Sequence, residues 1–79
     1  MPADHNAQRR RMAGAALKTW RHVRGGPHDP SDIVDLLSDL LHLAQYEHAQ
    51  GRAEYPAEQS AEVALRHYIT ERREEAIES

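Results

Sequence analysis

The chain has 79 residues, ten Lys or Arg against thirteen Asp or Glu for a formal net charge of -3, and no Cys. That length makes one small domain that buries a modest fraction of its surface, and the lack of Cys excludes disulfides and thiolate metal sites. No segment approaches the roughly 20 apolar residues of a membrane span, and no apolar run follows the early basic residues, so neither a signal peptide nor a transmembrane helix is expected, and a cytoplasmic location is.

Phe is absent and the aromatics are one Trp and three Tyr; with Ala, Leu, Glu and Arg plentiful, this is the composition of helices, not sheets. The net charge hides a division. Residues 1–28 carry six basic side chains against Asp4, a net +5, whereas residues 29–79 carry four basic against twelve acidic, a net -8.

Asp4 is placed to cap a first helix over about residues 5–24, which Gly25-Gly26-Pro27 terminates. Its apolar seam, Ala13, Ala16, Leu17, Trp20 and Val23, is thin, because only the last three bring much area at ~1.5–3 kcal/mol per fully buried large side chain. Arg9, Arg10 and Arg11 oppose the macrodipole at its N-terminal end.

A second helix over about residues 30–50 starts with Asp29 as N-cap, Pro30 at the first helical position and Asp32 against the positive dipole end, and stops at Gly51. It contains five of the seven leucines. On a helical wheel Ile33, Val34, Leu36, Leu37, Leu40, Leu41, Leu43 and Ala44 form an arc of roughly 180°, wider than one partner helix covers. The helix therefore needs at least two neighbours.

Pro56 is placed to open a third helix over about residues 56–77, with Ala57, Ala61, Ala64, Leu65, Tyr68 and Ile69 as its inward stripe. Both connections are short, which sets successive helices as antiparallel neighbours. The expected fold is all-α: three antiparallel helices, a helical hairpin plus a basic N-terminal helix, dimerising into a helical bundle as a single domain.

Asp35-Leu-Leu-Ser-Asp-Leu-Leu-His-Leu-Ala44, followed after a loop by Ala64-Leu-Arg-His-Tyr68, resembles a group of small uncharacterised bacterial proteins, often encoded on phages and plasmids, with a D-L-L-x-D-L-x-H-x-A helix. The resemblance covers residues 33–70 and leaves out the basic helix. It implies a helical hairpin and a mobile-element origin, and with that origin a host protein as a further partner. The loop Gly51-Arg-Ala-Glu-Tyr-Pro-Ala57 is several residues longer than that pattern has.

The polar residues raise three kinds of chemistry. Asp35, Asp39 and His42 stand at i, i+4 and i+7, so they point the same way on a helix and would ligate a divalent metal if another helix completed the set, His67 and Glu71 being the obvious pair. The bland alternative is a solvated polar face, and no HExxH or paired Glu-x-x-His signature argues otherwise. A metal-dependent helical hydrolase is thus a second alternative; all-α nucleotide pyrophosphohydrolases use rows of carboxylates with Mg²⁺, but their pairing of E-x-x-E with E-x-x-D is absent. Ser31, Ser38, Ser60 and Ser79 lie in no nucleophile elbow, and Gly25-Gly26-Pro27 is no phosphate loop, so the chain reads as a non-enzyme with no cofactor.

Arg9, Arg10, Arg11, Lys18 and Arg21 on the first helix would contact phosphates without reading sequence, which makes nucleic-acid binding the first alternative. Against it stand the acidic remainder and the lack of a helix-turn-helix pattern; pairing of the basic helix with acidic helices of its own chain is the simpler account. The preferred reading is a protein–protein interaction module that self-associates, first as a homodimer, through Leu36, Leu37, Leu40, Leu41, Leu43, Trp20 and Tyr68, with no role at a membrane.

Overall fold

A computed structural model describes residues 2–78 of the chain, with side chains described for residues 5–75. It is all-α, with no strand among the described residues: α1 spans Pro2–Arg24, α2 Asp32–Ala49 and α3 Ala57–Glu78. None of these helices is long and apolar enough to cross a membrane.

The helix ends follow local chemistry. α1 starts at Pro2, two residues ahead of Asp4, so Asp4 is not the residue before the helix; its side chain lies outside the described residues. At the other end Gly25 and Gly26 take φ of 76° and 83°, the left-handed region open to glycine, and the Gly25 N–H bonds the Arg21 carbonyl at 2.9 Å.

α2 begins at Asp32, so Ser31 and not Asp29 stands at its N-cap, and Pro30 lies in the turn ahead of the helix; the Asp29 carboxylate organises that turn. It accepts from the N–H of Ser31 at 2.8 Å and from the Ser31 hydroxyl at 2.7 Å, while the Asp29 N–H donates to the Asp32 carboxylate at 3.1 Å. This is an Asx-type turn ahead of the helix: the Asp32 N–H donates to the Asp29 main-chain carbonyl at 3.0 Å, and Ser31, the residue before the helix, makes no side-chain cap. α2 ends in a Schellman motif: Gly51 at φ 76° donates to His48 at 3.0 Å and Arg52 donates to Glu47 at 2.8 Å. The Arg52 guanidinium also grips the Glu47 carboxylate with two nitrogens. Pro56 stands one residue ahead of α3, its carbonyl accepting from the Ser60 N–H at 2.9 Å.

Helix ends meet at three corners. Arg21 and Arg24, at the end of α1, hold Asp32 at the start of α2. Gln45, near the end of α2, accepts from the Ala57 N–H at 3.1 Å at the start of α3. Asn6 and Arg9, near the start of α1, reach Glu71 and Glu75 near the end of α3. The Cα extents are 38 × 33 × 18 Å. Two of these dimensions match the ~30–35 Å length of helices this long. The helices are thus laid out as a flat, splayed frame, and full-length side-by-side packing is not what the single chain adopts.

The consequence is an exposed interior. No apolar side chain among the described residues is fully buried, and the radius of gyration is 14.6 Å against about 11.6 Å for a compact domain of this length. The seams expected from periodicity are only partly covered. Leu17, Trp20, Leu36, Leu41, Ala44, Ala57 and Ile69 are half-buried; Ala13, Ala16, Ile33, Val34, Leu37, Leu40, Leu43, Ala61, Ala64, Leu65 and Tyr68 are exposed, and Val23 is 79% exposed. Ser60 and Val63 are half-buried instead. Periodicity finds which residues share a face, but a face is buried only where another element covers it, and a splayed frame covers little.

Candidate interaction surface

The α1–α2 corner is built around one buried carboxylate. Asp32 is the one fully buried residue among those described. Arg24 Nη1 bonds one of its carboxylate oxygens and Arg21 Nε the other, the latter at 2.7 Å. With the Asp29 N–H as third donor, the buried carboxylate is fully satisfied, which a buried charge requires. The Arg24 guanidinium holds this carboxyl far below the ordinary carboxylate range, with Arg21 and the Asp29 N–H acting in the same sense and loss of solvent opposing them. Arg24 also lies 4.6 Å from the centre of the Trp20 ring and donates to the Pro27 carbonyl at 3.0 Å. Trp20 in turn donates its indole N–H to Asp39 at 2.8 Å.

These polar contacts hold α1 and α2 at an angle that leaves a groove between them, with a volume of about 420 Å³. Ala13, Gly14, Ala16 and Leu17 line it from α1, Ile33, Leu36, Leu37 and Leu40 from α2, and Arg10 stands on its edge. A Cβ built on Gly14 meets nothing within 4 Å, so the floor is open to a neighbour's approach. Apart from Arg10, every lining side chain is carbon only.

Of the residues expected to drive self-association, Leu36, Leu37 and Leu40 are gathered in this groove. Trp20 belongs to the polar corner and Leu41 is half-buried outside the groove, while Leu43 is exposed. Tyr68 is elsewhere, on α3, 5.6 Å from the Arg72 guanidinium carbon and beside a second hollow shared with Asn6, Arg9, Arg10, Glu71 and Glu75.

Two of the five basic candidates have carboxylate partners within the chain. Arg9 pairs with Glu71 at 3.0 Å and Arg21 with Asp32. Arg10 borders both hollows, Arg11 is exposed, and Lys18 lies with Arg21, His22 and His28 around a shallow depression at the end of α1. As for a metal, Asp35, Asp39, His42 and His67 are all exposed, Asp39 is bonded to Trp20, and Glu71 is paired with Arg9. Among the described residues no three His, Asp or Glu side chains are gathered so as to hold an ion.

Sequence reasoning missed two features. The helix dipole accounts for an acidic residue at Asp32 but not for its burial; the signal for that is the pair of arginines, Arg21 and Arg24, at the end of the preceding helix. Gly14 was left out of the α1 seam, although the run Ala13-Gly14-Ala15-Ala16 marks a helix surface without bulk. No protein-family model, curated protein or solved structure matches the chain.

Proposed function

We propose that the chain is a non-catalytic protein–protein interaction module that acts as a homo-oligomer, in the first instance a dimer. The observation that carries this is its surface. The chain exposes 6538 Å² at a mass of 9.0 kDa, about 1,700 Å² more than a compact monomer of that mass. A standard interface needs only about 800 Å² from each partner. Folding must offset the entropy of ordering the chain, chiefly by burying apolar side chains. The leucines of α2 gain that burial when a second chain covers them.

Light scattering and sedimentation equilibrium at micromolar concentration test the reading, with a dimer as the expected mass. A strictly monomeric protein that melts cooperatively would sink it. The first alternative, nucleic-acid binding, loses support because Arg9 and Arg21 already face Glu71 and Asp32. The resemblance of α2 to helices of mobile-element proteins makes a host protein the natural second partner, by analogy alone.

A further inference from the structure

Resting on the self-association reading, we propose that the α1–α2 groove is the seat of α2 from a second copy. The two chains are related by a twofold axis, so that Leu37 and Leu40 of each enter the groove of the other. The occupant follows from four properties of the surface.

The first is self-complementarity. A twofold contact uses one patch on both chains, so that patch must offer both a ridge and a recess. Leu37 and Leu40, 56% and 49% exposed, are the ridge on α2; the floor at Ala13 and Gly14 beside them is the recess. A second is close approach. Gly14 is helical and exposed, with open space where a Cβ would stand, so a helix can come near the α1 backbone there.

Area is the third property. The excess surface of about 1,700 Å² exceeds the roughly 800 Å² per chain of a standard interface, and a partner helix laid along α1 and α2 removes Leu37 and Leu40 from water. Fourth, charge is complementary between copies. α2 carries Asp32, Asp35, Asp39 and Glu47 and no Lys or Arg, and Arg10 lines the groove. An α2 entering the groove therefore brings net negative charge beside a basic side chain.

The test uses two variants of the full chain. Gly14→Leu fills the recess at an exposed helical position, where the helix itself gains propensity. Its expected effect is a dimer dissociation constant raised about 10- to 100-fold, by overpacking, with helicity of the dissociated chain retained. Because the chain has no Cys, Leu37→Cys reports proximity cleanly: mild oxidation should give a disulfide-linked dimer, since residues near the axis come within the ~7 Å that a disulfide spans. Tyr68→Cys should not. If Gly14→Leu fails to fold, the pair of cysteine variants still decides.

The seat is wrong, though self-association stands, if the wild type dimerises and Gly14→Leu dimerises equally well, or if Tyr68→Cys is the variant that crosslinks. A wild type that stays monomeric removes the self-association reading and the seat with it. Dimerisation lost in Gly14→Leu together with crosslinking through residue 37 supports the proposal.

Discussion

The indole N–H of Trp20 donates to the Asp39 carboxylate at 2.8 Å, tying the last turns of α1 to the middle of α2. The same Asp39 reads in the sequence as a metal ligand in a row with Asp35 and His42. Its use as an acceptor for Trp20 makes it a structural residue. Asp39→Ala should lower stability by about 0.5–1.5 kcal/mol, the net worth of one such bond at an exposed site. Thermal melts followed by circular dichroism check this, and calorimetry with zinc or manganese should show only weak binding in the wild type; sub-micromolar binding lost in an Asp39→Ala, His42→Ala double variant would reopen the metal-hydrolase alternative.

Asp32 sets the acid side of the stability profile. Its folded carboxyl ionises well below the ordinary value of 3.8, because Arg24 first, and Arg21 and the Asp29 N–H after it, bond the carboxylate. Asp29 shifts the same way through its bonds from Ser31. A depressed folded pKa means the stabilisation is fully present above the unfolded value and is lost as pH falls from there through the folded pKa. Acid unfolding should therefore begin below about pH 4. In Asp32→Asn the slope below that pH should flatten, and at pH 7 the melting temperature should drop further than in Asp39→Ala, because two guanidinium groups lose their partner.

The C-terminus of α2 depends on a left-handed residue. Gly51 has φ 76° and no atom near its Cβ position, so Gly51→Ala meets no clash and suffers only the backbone penalty. A loss of about 1–2 kcal/mol is expected. Urea melts should show it as a shifted midpoint with unchanged slope; an unaltered midpoint would mean that the Schellman turn is not formed.

Leu40 is 49% exposed in the single chain, so Leu40→Ala leaves no closed cavity there. The monomer should lose well under the ~2–5 kcal/mol of a packed core position. Association should weaken instead, visible as a melting temperature that falls with dilution more steeply than in the wild type. Equal destabilisation at every concentration would place Leu40 in a monomeric core.

Changing Arg9, Arg10 and Arg11 together to Gln should have a small effect that shrinks with salt. The Arg9–Glu71 pair is between side chains 58% and 26% exposed, and such pairs are worth ~0–1 kcal/mol. Fluorescence anisotropy with a labelled oligonucleotide should find no affinity to lose. Micromolar binding that falls steeply with salt and vanishes in the triple variant would make α1 a phosphate-contacting arm.

The features legible in the residues alone are local. Three helices, their breaks at Gly25-Gly26-Pro27 and Gly51, and the leucine face of α2 all follow from backbone preference and periodicity, which act within a few residues. Even there the assignment of Leu36, Leu37 and Leu40 to one face said nothing of what covers them. Only the tertiary structure decided that Val23, Leu65 and Tyr68 are exposed, that Arg9 faces Glu71 across 62 positions of chain, and that Asp32 is buried between Arg21 and Arg24. The physical reason is that burial and ion pairing depend on the angle between helices. In this chain that angle is set by a polar corner at one end of α2, and thin apolar seams on α1 and α3 are too weak to close it.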